Sequence, residues 1–326
     1  MVNIRYISLA ILLPCIAMVL TSCATTPALD LIAQGDRYLK ENKWDEAIIE
    51  YQQAMALAPD LKEARSRLGL AYNNRGWRYN GEAEWDQALA DLNKAIEWDP
   101  ALAAAYNNRG RAYNGKGQYA LTNAIQILDS GQYDPAIVEL DNAIDLYTSA
   151  IADLNQAIAL NPKLSAATNN LAASYSDRGH AYAIKREWDS AISDLTMAID
   201  LNPNLVDAYN NRGWAYDGKK DYELAIPDLT IAINMDPNLA LAYNNRGWAY
   251  HETEQYDLAL ADLNKAIELD PKLAVAYLNR GITYYYKAMR AEAIADFNTV
   301  LALTKHPELV WGARQVLMLL GAELPK

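Results

Sequence analysis

The sequence predicts an all-α solenoid of stacked helical hairpins, ended by a C-terminal helix. Three observations carry this. Glycines recur every 34 residues at Gly179, Gly213, Gly247 and Gly281, a period that marks repeat architectures. Around such glycines stand near-copies of one phrase: Tyr72-Asn73-Asn74-Arg75-Gly76, Tyr106-Asn107-Asn108-Arg109-Gly110, Tyr209-Asn210-Asn211-Arg212-Gly213 and Tyr243-Asn244-Asn245-Arg246-Gly247, with looser copies at 174–179 and 277–281 and a weak one centred on Gly35. The aromatics are lopsided, 22 Tyr and 8 Trp against 1 Phe. One position copied many times produces that imbalance; a compact core would use Phe freely.

The first segment, residues 1–22, reads as a targeting signal. Arg5 supplies a positive start, and Ile7 to Leu20 is an apolar run broken by Pro14, too short for an ordinary membrane span. Leu20-Thr21-Ser22-Cys23 follows and resembles a bacterial lipobox. That resemblance implies a diacylglyceryl group on Cys23, cleavage before it, and a lipid-anchored place in the cell envelope. The protein would then sit on the outer face of the cytoplasmic membrane, or in the outer membrane of a diderm. An ordinary cleavable signal, or an uncleaved anchor with Cys23 inert, are the alternatives. Residues 23–27 form the lipidated Cys and a short tether.

In the copy 240–273, Tyr243, Gly247, Tyr250, Ala259, Leu263, Ala266 and Pro271 fall at 4, 8, 11, 20, 24, 27 and 32 of the period, and the copy 206–239 repeats the pattern. This resembles the tetratricopeptide repeat and covers residues 28–307. The resemblance implies a right-handed α-solenoid of seven hairpins, each of helices A and B. Their bounds are 28–61, 62–102, 103–164, 165–205, 206–239, 240–273 and 274–307.

Small residues such as Gly213 and Ala225 let two backbones approach. Tyr209 and Tyr216, seven apart, lie on one helix face and fill the space between hairpins. Asn80-Gly81 and Asp217-Gly218 are expected to end helix A by reaching φ > 0. Asp-Pro and Asn-Pro pairs end helix B. Pro227 falls inside a helix B, where a local bend is expected.

The irregular spacings follow sevens. Gly35 to Gly76 exceeds the period by 7, and Gly110 to Gly179 exceeds it by 35. A heptad turns a helix only about −20° from two whole turns, so these are helix extensions that keep the buried face. One heptad falls at Leu61–Leu68 and one within Leu164–Tyr182. The remaining 28 add fourteen residues to each helix of the third hairpin, because Ile137–Ile144 recurs as Ile151–Ile158. That hairpin is expected to project about 21 Å beyond its neighbours. Asp134-Pro135 reads as an N-cap with Pro at N1. Gly115 and Gly117 leave two readings of its first helix, continuous or broken. Residues 308–326 form an amphipathic capping helix and tail, with Leu309, Val310, Val316 and Leu317 inward; Met318-Leu319-Leu320 is apolar enough to suggest docking as the lesser reading.

The net charge of −12 opposes nucleic-acid binding, which needs clustered Lys and Arg. Cys15 and Cys23 allow no disulfide framework in the body, and His180, His251 and His306 are scattered. No phosphate-cradling Gly-Lys-Ser/Thr loop, paired-His motif or nucleophile beside a base is present, so no cofactor, metal or catalytic site is expected. Carboxylates in stretches such as Asp262–Glu268 have the spacing of a solvated outer helix face.

Function is therefore expected on the inner face. In the family it resembles, ligand contacts come mainly from helix A positions 2, 5, 6, 9 and 12. Position 6 reads Asn74, Asn108, Asp177, Asn211, Asn245 and Asn279; position 9 reads Trp77, Arg111, His180, Trp214, Trp248 and Ile282. An Asn ladder can pair with an extended peptide, or it can tie hairpins together. Trp supplies anchor area. Asp207, Asn210 and Asn211 replace the cations with which heat-shock co-chaperones grip a C-terminal carboxylate, which argues against that ligand. The expected function is an envelope scaffold that binds protein or peptide partners. The alternative is a structural accessory lipoprotein of a secretion or pilus machine.

Overall fold

The computed structural model describes residues 26–322; the signal, Cys23 and the last four residues lie outside them. All regular structure among the described residues is helical. Helix α1 covers 26–40. There follow α2 (Trp44–Leu57), α3 (Lys62–Gly81), α4 (Trp85–Trp98), α5 (Ala103–Asp129), α6 (Tyr133–Leu160), α7 (Ser165–Ile184) and α8 (Trp188–Leu201). The chain continues with α9 (Val206–Gly218), α10 (Tyr222–Met235), α11 (Ala240–Glu252), α12 (Tyr256–Leu269), α13 (Ala274–Tyr286), α14 (Arg290–Leu303) and α15 (Pro307–Leu319).

Helix lengths follow the spacing of the glycines. The A helices α9, α11 and α13 have 13 residues each, α3 and α7 have 20, and α5 has 27. The B helices have 14, apart from α6 with 28. Helix α5 runs unbroken through Gly115 and Gly117. Each glycine is there for contact. A side chain at Gly115 would strike the Trp85 indole, and a Cβ on Gly117 would lie 2.7 Å from the Tyr147 ring.

Two compact units result. Among the described residues, one comprises 26–115 with Ala152–Ala167; the other comprises Lys116–Ile151 with 168–322. The division crosses α5 and α6. In the first unit α3 packs on α4 and α2, around Tyr51, Leu68 and Tyr72. In the second, α9 packs on α10, α11 on α12 and α13 on α14; each B helix also touches the next A helix, and α15 covers α14 and α13. Ala313 and Leu317 are its buried residues. Burial of such apolar stripes between neighbours is what stabilises a stacked array.

The added part of the third hairpin is not a free projection. Leu121, Ala124, Leu140, Ile144 and Tyr147 form a core with Ala181 of α7, and Lys185 binds Asp141 at 2.7 Å. The apolar stripe that fourteen more residues extend needs a partner, and α7 supplies it. Asp134 and Pro135 are the second and third helical residues, not cap and N1, because α6 begins at Tyr133. The first helical bond runs from Ala136 N–H to the Gln132 carbonyl, the register of the other B helices.

The turns also differ from expectation. Gly81 and Gly218 are the last residues of their helices, and positive φ falls two residues later, at Ala83 (58°) and Lys220 (65°). The same slot holds Arg186, Glu254 and Ala288. Lys220 N–H reaches the Asp217 carbonyl and Asp221 N–H the Tyr216 carbonyl, which closes the helix end. Gly218 is glycine because a Cβ would lie 2.6 Å from the Trp188 indole. Helix α10 continues through Pro227, whose missing N–H leaves the Glu223 carbonyl without its helical donor.

Candidate functional site

The inner-face residues sit on A helices held by two polar devices. The first is a clamp between the Arg of each repeated phrase and an Asp of helix B. Arg246 Nε and Nη2 donate to the two Asp262 oxygens at 2.7 and 2.9 Å, and Nη1 donates to Thr230 of the preceding B helix at 3.1 Å. The Tyr243 and Tyr250 rings each lie 5.8 Å from its guanidinium. Arg75–Asp91, Arg109–Asp153, Arg178–Asp194, Arg212–Asp228 and Arg280–Asp296 repeat the pair. Asp262 is thus only 7% exposed. It is a buried clamp residue, while Lys265 and Glu268 of the same stretch do face solvent. The Asp262 hydrogen bond, working against burial, raises the Arg246 pKa further above its ordinary value. An Arg at the seventh place with an Asp sixteen later was the signal available in the sequence.

The second device is the Asn ladder, which bonds to itself. Asn210 donates to Asn211 at 3.1 Å, Asn245 to Asn210 at 3.2 Å, Asn244 to Asn245 at 3.1 Å and Asn279 to Asn244 at 3.0 Å. In the first unit Asn73 donates to Asn74 and Asn108 donates to Asn73. Amides that donate and accept at once can run such a chain from hairpin to hairpin. At α7 the pattern changes to Ser176 and Asp177. A carboxylate cannot donate, so the bond reverses: Gln118 of α5 donates to Asp177 at 3.1 Å.

The position-nine residues fall into separate places. Trp77, 54% exposed, and Arg111 line one cleft of about 290 Å³ with Arg78, Gly81 and Glu82, all within the first unit. In the second unit His180 meets Trp214 edge-on at 6.3 Å, and Trp188 meets Trp214 at 5.9 Å. Trp214 also lines a cleft of about 460 Å³ with Tyr133 and Leu140 of α6, Arg186, His306 and Glu308. Trp248 instead stacks on buried His251 at 4.8 Å, against Tyr256 and Tyr286. Thr283 gives its hydroxyl proton to the Asn279 carbonyl, so the His251 Nδ1–H must be the donor to Thr283 at 3.1 Å.

Two carboxyls, Asp177, read from the sequence as a position-six residue, and Asp217, read only as part of a turn, are buried in a way the sequence did not reveal. Burial, with the Glu252 charge added, pushes Asp217 up to about 7, and its Oδ1 has no hydrogen-bond partner. Burial pushes Asp177 up to about 6 against the opposing Gln118 bond. Burial also pulls the His180 pKa down. The neutral forms, protonated for the two carboxyls and deprotonated for His180, are favoured because a buried charge lacks water. Among the described residues no cluster of ligands could hold a metal ion, and no helix is long and apolar enough to cross a membrane.

Three segments match tetratricopeptide repeat models: 35–76, 206–239 and 240–273. No curated protein matches the chain. Among solved structures it is similar to YrrB, described as a TPR protein with an unusual peptide-binding site, at 21% identity over 69% of this chain and 97% of that one, with a TM-score of 0.43. A tetratricopeptide repeat protein from Parabacteroides merdae matches at 16% identity over 90% of this chain and 99% of its own, TM-score 0.40. A thermophilic TPR protein from Thermus thermophilus matches at 19% identity over 62% and 99%, TM-score 0.42. With the matched segments, the two-helix hairpins and their close-packed glycines, the chain is a tetratricopeptide-repeat protein.

Proposed function

We propose that this protein is a cell-envelope scaffold, anchored through Cys23, that binds extended segments of partner proteins on its inner face. The observation that carries the reading is that position-nine residues line open clefts, Trp77 with Arg111 and Trp214 with its neighbours, beside an otherwise self-bonded polar surface. An indole at the wall of a cleft offers large area at little entropic cost, as binding hot spots do. The Asn ladder supports this function indirectly, by holding the A helices in register. The fold supplies binding surface, and we assign the chain no catalytic step.

The test is affinity capture from envelope extract with the full chain and with Trp77→Ala and Trp214→Ala. Capture should weaken by roughly tenfold for the cleft that is used, the loss expected of one hot-spot side chain. Undiminished capture in both variants would reject the clefts as the site. One stoichiometric partner, retained in both, would favour the strut of an assembly machine. In the same preparation Cys23→Ala should leave the membrane fraction; retention there would reject the lipid anchor.

A further inference from the structure

The slot of positive φ that closes each A helix accepts Arg186, Lys220, Glu254 and Ala288, so backbone conformation does not demand glycine there. In the turn between α5 and α6 the residue with positive φ is nevertheless Gly131 (80°). Contact explains it: a Cβ on Gly131 would lie 2.7 Å from Pro307 Cγ, at the start of α15. Residues 176 positions apart in the chain therefore meet. Around that contact Arg186 and Glu308 pair at 3.5 Å, with both side chains largely exposed. The Tyr133 hydroxyl lies beside the same carboxylate. The cleft that contains Trp214 lies under this junction, with the hairpin tip as one wall and His306–Glu308 as another.

We propose that the α5–α6 tip is a strap, seated on the start of α15, which closes the inner face of α7–α14 over Trp214. With the strap seated, this unit takes an extended polypeptide segment and refuses a folded surface. The space beneath, about 460 Å³, holds a few side chains and no helix or domain. The Gly131–Pro307 contact and the Tyr133–Glu308 hydrogen bond fasten the strap to α15, and the exposed Arg186–Glu308 pair, from the turn between α7 and α8, holds Glu308 beside it, so the tip can leave α15 without unfolding either end. The partner class rests on the scaffold reading above; the strap itself does not.

The test needs no partner. The full chain is treated with limiting N-bromosuccinimide, and oxidation of each Trp is followed by peptide mass spectrometry, with Trp77 of the other unit as internal reference. Glu308→Arg removes the acceptor of the Tyr133 hydroxyl, turns the neighbouring Arg186 attraction to repulsion, and should raise the rate at Trp214 relative to Trp77 by about fivefold, with Trp248 unchanged. The exchanged pair Arg186→Glu/Glu308→Arg restores the ion pair of the α7–α8 turn but not the Tyr133–Glu308 bond, so the ratio should stay raised; full restoration would assign the effect to that turn and overturn the strap. Gly131→Val, which unseats the tip sterically and leaves α15 intact, should give the same rise with helix content by circular dichroism unaltered. A Trp214 ratio unmoved in both Glu308→Arg and Gly131→Val overturns the strap, whatever partner capture shows. Conversely, a strap that opens as expected while Trp214→Ala captures normally would sink the binding role of this cleft alone.

Discussion

In the regular stack α9–α14, Arg212 reaches an Asp sixteen residues later; in the extended hairpin, Arg109 reaches Asp153, forty-four residues later, with the same two bonds at 2.7 Å. The clamp survives an insertion of 28 residues because both antiparallel helices grew equally. The added residues bring a contact of their own. Where the regular hairpins set Gly213 against Leu229, the extension sets Gly117 against Tyr147, whose buried hydroxyl has no hydrogen-bond partner. The Asn ladder gives way at α7 to Asp177 and Gln118. Contacts within a hairpin thus tolerate equal insertion into both helices, whereas amide bonds between hairpins, which need a partner at matching height on the neighbouring A helix, must be rewritten.

The largest test of this contrast is the clamp. Arg246→Met strands a buried carboxylate and should cost about 3 kcal/mol, read by urea unfolding. Arg109→Met should cost a similar amount; a loss well under half of that would show that the extension has loosened its clamp. Array unfolding need not be two-state, so midpoints of each transition are the quantities to compare. Next comes the close contact. A Cβ on Gly213 would already lie 2.6 Å from Leu229 and 3.2 Å from the Ala225 carbonyl oxygen. Gly213→Leu should therefore cost about 1–3 kcal/mol in thermal melts, and an unchanged melting curve would refute the packing register.

The smallest effect is in pH. A carboxyl whose folded pKa is raised binds a proton in the folded chain where the unfolded chain has lost it, so stability falls as pH rises across that window. For Asp217 the window runs from 3.8 to about 7, and for Asp177 from 3.8 to about 6. Asp217→Asn should match the parent below the window and exceed it by about 1–2 kcal/mol at pH 8. Asp177→Asn should gain less, because it also weakens the bond from Gln118. Equal gains at pH 3 and pH 8 would exclude titration as the cause.

Helix number and length were legible because glycine spacing and apolar period report one-dimensional facts about a helix. The lengths of α3, α5, α6 and α7 follow from residues added by sevens. What failed was contact at a distance. Gly218 looked like a turn residue because it precedes the break, but its reason is Trp188, thirty residues earlier. Asp262 looked solvated because its neighbours Lys265 and Glu268 are; only the facing Arg246 reveals otherwise. The meeting of Gly131 with Pro307 left no local pattern at all. In the proposed site the Trp positions were readable from their place in the repeat. The walls around Trp214 were not, since they come from α6 and α15.

The near-identity of successive copies carries a hazard that the connections remove. Any inner face could in principle stack on the wrong neighbour, since Asn279 would find in Asn210 the same amide it meets in Asn244. The link from α10 to α11 is residues 236–239, four residues. Fully stretched, it reaches only about 16 Å. Skipping one hairpin would demand roughly 20 Å or more of lateral travel. Brevity of the linkers, more than any difference among the copies, is what makes the order of assembly unambiguous.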